Sequence, residues 1–251
     1  MFTQKEGRHL IISILVLGLA FGLNDKQPAF NIVNWTFNLV RAVFSAAIVL
    51  LLYELIHKFI ARRYNADTEY ELWSIRRYGF WRSARFPKKI FGRTIESFPL
   101  GVVLSILAAL LSNGTFYLTP ISSFKIIEKP HLRIGAKFRQ LTNFEEAKIA
   151  VSSMLFLAVI ALILVSLNYP VIFNQLVTML FVFIAYSLIP FSSLDGAKIF
   201  FGSVPLYLAT LAFILAAYFL IDVAGIFSIL LIALLGAAFI LLLYFNTIKN
   251  S

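Results

Sequence analysis

The chain has 251 residues, 60% of them hydrophobic and 14% charged, with 26 Phe, a composition that belongs to an integral membrane protein. Its net charge of +10 would suit nucleic acid, but the Lys and Arg flank apolar segments, where cytoplasmic loops collect them and anionic headgroups attract them, so no nucleic-acid role is expected. The absence of cysteine excludes disulfides and thiolate metal sites, leaving His, Asp, Glu and Tyr as the available ligands.

In chain order, apolar segments near 9–24, 35–57, 147–167, 171–189, 204–221 and 225–245 are long enough, or nearly so, to cross about 30 Å of hydrocarbon as helices. The first, LIISILVLGLAFGL at 10–23, follows Lys5 and Arg8 and reads as a short first span, with a cleaved signal as the alternative. Between the second and third segments lie two basic regions, 58–93 and 125–148; the first holds ten of the 22 basic residues. If both are cytoplasmic, the apolar stretch 97–112 enters and leaves on one face, so 97–120 is expected to be re-entrant or strand-like. Asn168-Tyr169-Pro170 reads as a tight external turn, and Asp222 and Gly225 as the bend of a final helical hairpin. The expectation is an all-α polytopic membrane protein forming one integral membrane domain over 1–251. It has about six transmembrane helices, a membrane-associated hairpin after the second, and the N-terminus, C-terminus and 58–93 region in the cytoplasm. The interleaved Trp73, Tyr78, Phe80, Trp81 and Phe86 point to contact of that region with headgroups.

Two short stretches carry candidate chemistry. In LLYELIHKF, 51–59, Tyr53 and His57 are one helical turn apart with Glu54 beside them. That is the spacing with which HExxH holds zinc on two imidazoles while the Glu takes a proton from the metal-bound water. Glu54, just inside an apolar run, asks for a partner. In SLIPFSSLDG, 187–196, Pro190 opens a helix end and Gly196 permits a tight turn, so Asp195 can face inward. The topology brings His57 and Asp195 to similar depth on one membrane face. His9 and His131 have no ligand partner at helical spacing and read as interfacial or solvated residues.

The order of these motifs resembles the site-2 protease family of intramembrane zinc metalloproteases, in which HExxH is followed late in the chain by N-x-x-P-x-x-x-L-D-G. SLIPFSSLDG matches the second motif at Pro190, Leu194, Asp195 and Gly196, with Ser187 in place of the Asn. The stretch YELIHKFIARRYNADTEYELW, 53–73, is similar to that of compact archaeal-type members. The resemblance implies a site-2 protease-like core in a prokaryotic cell membrane. It implies zinc on His57 and Asp195 and Glu54 as general base, with Tyr53 at the position of the missing first His ligand. KIAVSSM, 148–154, lacks the Gly and Pro of the family's third core span. A neutral Tyr hydroxyl is a poor replacement for imidazole, since ionising it near pH 7 costs roughly 4 kcal/mol. The leading expectation is a family homologue with an impaired zinc site, acting by binding transmembrane segments of other proteins, with membrane lipid as its other partner. The alternatives are an active intramembrane zinc endopeptidase and a proton or ion relay or structural subunit built on Glu54, His57 and Asp195. Without zinc, Glu54 would bond Tyr53 or His57, or pair with His57 or Lys58, and Asp195 would join through His57, making a polar latch between two helices.

Overall fold

A computed structural model describes residues 2–76, 86–90, 93–95, 97–128, 141–166, 170–220 and 236. Among them the chain is mostly helical, with seven helices and two small antiparallel sheets. The helices are α1 (Gln4–Gly22), α2 (Ile32–Arg63), α3 (Leu100–Leu111), α4 (Asn143–Ser166), α5 (Pro170–Ser187), α6 (Asp195–Gly202) and α7 (Val204–Leu220). The strands β1 (Ala66–Leu72) and β4 (Ser122–Glu128) pair with each other, and β2 (Lys88–Ile90) pairs with β3 (Arg93–Ile95).

Local chemistry sets the helix ends. Thr3 and Glu6 form a reciprocal capping box at the start of α1, satisfying two otherwise orphaned amides. Thr142 and Glu145 do the same ahead of α4. Asn31 caps α2 through the Val33 amide at 2.9 Å. The other end of α2 runs beyond the expected 57 to Arg63 and stops where Asn65 takes a positive φ of 54°, a conformation Asn tolerates better than most residues.

Two helices, α2 and α4, are long and apolar enough to cross a membrane; α3, α7 and the Phe173–Ser187 part of α5 are apolar but shorter. At 1.5 Å per residue α2 is about 48 Å long and α3 only about 18 Å, so α3 by itself does not reach across a hydrocarbon core. Within 97–120, the segment expected to be re-entrant or strand-like, Leu100–Leu111 form a short helix, and a strand, β4, follows. The basic region after α2 contributes a strand, β1, whose partner lies more than fifty residues later. The expected span at 225–245, the bend at Asp222 and Gly225, and His131 lie outside the described residues.

The outward face of α2 is apolar: Phe37, Val40, Phe44, Leu51, Leu55 and Phe59 are all exposed. Its inward face is small and aliphatic through Ala42, Ala46, Val49 and Leu50, then turns polar at Tyr53, Glu54, His57 and Lys58, all buried. This is the inverse of a water-soluble amphipathic helix, which keeps its polar residues outside. Helix α1 lies against α2 at close range. A Cβ on Gly18 would collide with Val43, and one on Gly22 with Leu39, so these glycines set the separation. Helix α4 packs against α2, α5, α6 and α7, which makes it the axis around which the C-terminal end of α2 and the start of α6 meet.

Candidate functional site

The C-terminal end of α2 is enclosed by α1, β1, β4, α4 and α6, and the polar side chains there form two adjoining groups. Helical spacing puts Tyr53 and His57 on one face of α2, with their rings 4.3 Å apart, edge to face. Opposite them α6 begins at Asp195, fully buried in its first turn, where the helix dipole favours a carboxylate. The bend that delivers it is tight. It runs through Ser192 at a φ of 57°, and Gly196 is packed so closely on the Leu188 and Ile189 carbonyls that a Cβ there would overlap the Leu188 oxygen. In this motif Ser187 and Leu194 are buried while Pro190 is exposed in the turn.

The Tyr53 hydroxyl donates to Asp195 Oδ2 at 2.5 Å, and His57 Nε2 lies 3.9 Å from the same oxygen. Ser153 Oγ on α4 is 3.0 Å from His57 Nε2. Lys198, one turn after Asp195, places its ammonium 3.6 Å from Asp195 Oδ1. The same ammonium donates to the Phe124 carbonyl of β4 and lies over the Phe124 ring, whose other neighbour is the His57 ring at 4.3 Å. Burial pushes the Asp195 carboxyl up to about 6, while Lys198 and the Tyr53 hydrogen bond pull it down.

Glu54 belongs to the second group. Its Oε1 accepts from Thr68 Oγ1 at 3.2 Å and lies 3.4 Å from Lys58 Nζ, one turn on. Lys58 also reaches Glu6 Oε1 at 2.6 Å and donates to the Thr68 carbonyl at 2.6 Å. Glu6 accepts in turn from the Tyr70 amide. The free edge of β1 is therefore covered by side chains of α1 and α2, including His9, whose Nδ1 is 3.4 Å from the Tyr70 carbonyl. The carboxylate that the motif would use as a base is thus engaged through Oε1 with Thr68 of β1 and with Lys58, while its buried Oε2 has no hydrogen-bond partner among the described residues.

No protein-family model, curated protein or solved structure matches the chain. The donor set itself must therefore answer whether zinc fits. A catalytic zinc takes three protein ligands at about 2.0–2.2 Å for nitrogen and oxygen. Here two strong donors converge, His57 Nε2 and Asp195 Oδ2, and both are occupied: one by the Ser153 hydroxyl, the other by the Tyr53 proton. The third neighbour is a phenol that is already a hydrogen-bond donor, and an ammonium stands beside the carboxylate where a dication would be repelled. Among the described residues no three His, Asp or Glu side chains gather as a ligand group. The residues present do not fit a catalytic zinc ion.

The structure brings Tyr53, His57 and Asp195 together, and sets Glu54 in the neighbouring group. Ser153, Lys198, Phe124, Glu6 and Thr68 complete the two groups, and sequence reading did not assign them a role. Two of them left a trace: Lys198 is three residues after Asp195, and Thr3-x-x-Glu6 is a capping-box pattern. Ser153 left none, because a small hydroxyl inside an apolar helix is ordinary.

Proposed function

We propose that the chain is an integral membrane protein with a site-2 protease-like core, a disabled zinc site and a role in binding transmembrane segments of other proteins. The membrane reading is supported by the apolar outer face of α2 over polar residues on its inner face, and by the two helices long enough to span. The family reading is supported by the YELIH and SLIPFSSLDG motifs in order, and by the meeting of His57 and Asp195.

The observation that carries the loss of catalysis is the Tyr53 to Asp195 hydrogen bond. It puts a proton, held by a phenol, on the oxygen that a metal would need. Together with Ser153 on His57 and Lys198 on Asp195, it makes the site a latch joining α2, α4 and α6. A hydroxyl bonded to a buried carboxylate contributes more than an ordinary hydrogen bond, so the former ligands hold helices together. In this reading the basic 58–93 region is cytoplasmic, and the client helix is held by the surrounding framework with no water activated for its cleavage.

The experiment is zinc per chain by elemental analysis of the detergent-purified protein, compared with Tyr53→His and Tyr53→His/His57→Ala. The expected result is little zinc in the unmodified chain, a gain approaching one per chain in Tyr53→His, and its loss in the double variant. Near-stoichiometric zinc in the unmodified protein, removed by His57→Ala, would replace this reading with that of an active endopeptidase using an unusual ligand set.

A further inference from the structure

At the opposite end of α2 a polar cleft opens between the turn after α1, α2 itself and the start of α5. It consists of two hollows of about 320 and 360 Å³, both lined by Asp25, Asn38 and Arg41, with Gln175 and the exposed Lys26 on the wall of the 320 Å³ one. Asp25 is held by an Asx-type turn in which Oδ1 accepts from the Gln27 amide at 3.2 Å. Its Oδ2 is shut off from solvent and has no hydrogen-bond partner among the described residues. Arg41 Nε donates to Gln175 Oε1 at 2.8 Å, and among the described residues no carboxylate forms an ion pair with its guanidinium.

An acid and a base thus line one cleft without pairing. Direct contact would be the ordinary outcome for two such groups, and an unanswered buried carboxylate oxygen is costly. A ligand carrying both signs satisfies both. The depth of the cleft fits a bilayer surface: Arg41 and Arg62 are separated by roughly 32 Å of helix, about the thickness of the hydrocarbon core. Val40 and Phe44, which flank Arg41 on α2, are 62% and 67% exposed, an apolar wall beside a polar cleft.

We propose that this cleft binds the headgroup of an aminophospholipid, with its phosphate on Arg41, its primary ammonium on Asp25 and its acyl chains along Val40 and Phe44. The inference rests on the reading that α2 spans the membrane. A guanidinium matches phosphate oxygens with paired N–H donors. Asp25 Oδ2 needs a donor, which a primary ammonium supplies and a glycerol headgroup supplies only without charge.

The test uses the full-length protein in mixed micelles of phosphatidylethanolamine and phosphatidylglycerol, with bound lipid counted by native mass spectrometry. The expected result is a preference for phosphatidylethanolamine of about tenfold, the size of one charge-assisted hydrogen bond. Arg41→Gln should lose retention of both lipids. Asp25→Asn should keep phosphate binding and lose only the preference, an outcome that misfolding does not produce. Equal retention of the two lipids by the unmodified chain, or unchanged retention in Arg41→Gln, would overturn the proposal. Displacement of lipid by free O-phosphoethanolamine would also overturn it, by assigning the cleft to a soluble amino-phosphate. Extraction of membranes with alkaline carbonate separates the two levels of the argument. A chain released into the soluble fraction defeats the membrane reading itself, whereas an embedded chain with no lipid preference defeats only the headgroup site.

Discussion

The two ends of α2 treat charge in opposite ways. At its C-terminal end Lys58 is met by Glu6 and Glu54, and Asp195 by Tyr53 and Lys198, so that each charge faces an opposite charge of the protein, even though Glu54 Oε2, His57 Nδ1 and Asp195 Oδ1 make no hydrogen bond among the described residues. At its N-terminal end Asp25 and Arg41 share a cleft and leave each other alone. Motif order draws attention to the C-terminal end, yet there the charges are paired within the protein. A polar group surrounded by apolar structure must be satisfied somewhere. Where the protein itself supplies the opposite charge the pair ties elements together, and where acid and base stay apart the cleft between them is a place for a ligand.

The contrast predicts that substitutions at the C-terminal end of α2 cost stability. The largest effect is expected from Lys58→Met, which removes the ammonium holding Glu6 on α1, Glu54 on α2 and the Thr68 carbonyl on β1. Breaking a buried pair by removing one member costs about 3–5 kcal/mol. Thermal unfolding in detergent should show a large drop in Tm, and limited proteolysis should cut first near the junction of α1 with β1. A Tm close to that of the unmodified chain would mean that the cluster is solvated and holds nothing.

The next effect is a pH dependence at Asp195. Its carboxyl sits at about 6 in the folded chain, above the ordinary 3.8. Between these values the folded state holds a proton that the unfolded state has released, so stability falls as pH rises from about 4 to 6 and is level above that. A two-unit shift sets an upper bound of about 3 kcal/mol. Tm measured from pH 4.5 to 7.5 should decline across the lower part of that range, and Asp195→Asn should remove the decline. A rise in Tm over the same window would mean that the carboxylate is stabilised in its ionised form, as a ligand or a strong ion-pair member would be.

Tyr53→Phe isolates the latch from the packing. The ring stays among His57, Tyr70 and Phe183, and only the donor to Asp195 is lost, so about 1–3 kcal/mol is expected from the unsatisfied buried acceptor. A gain in stability would indicate that Tyr53 and Asp195 are held together under strain.

How far this contrast could be read from sequence differs along the chain. The presence of α1, α2, α4, α5 and α7 is visible because long apolar runs read as helices, although α1 begins five residues before the expected 9 and α2 ends six after the expected 57. Helix α6 was hidden, since Asp195–Gly202 has the composition of a turn followed by the next apolar run, and the pairing of β1 with β4 is non-local. At the C-terminal end of α2, Tyr53, His57 and Asp195 could be grouped because helical spacing and the Leu-Asp-Gly turn are local signals. Their partners could not, because Ser153, Phe124 and Glu6 arrive from other elements and carry no pattern of their own. The cleft at the N-terminal end was invisible for the same reason: Asp25 sits in a loop, Arg41 is one charge in an apolar helix, and only the fold shows that they line one hollow unpaired.

The smallest stability effect is the one that sharpens the contrast most. Arg41→Gln is expected to change Tm little, within about 0.5 kcal/mol, because its guanidinium is exposed and its described side-chain partner is a neutral amide. If the N-terminal end of α2 were another latch, the loss of Arg41 would resemble the loss of Lys58, and thermal unfolding of the delipidated protein would reveal it. If it is a ligand site, the two variants part company: Lys58→Met lowers Tm whether or not lipid is present, while Arg41→Gln lowers it only relative to protein that has lipid bound. The second pattern follows from linkage, since a ligand that binds only the folded state raises stability in proportion to the logarithm of its occupancy. Measuring both variants with and without phosphatidylethanolamine therefore separates a charge that holds the fold together from one that holds a ligand.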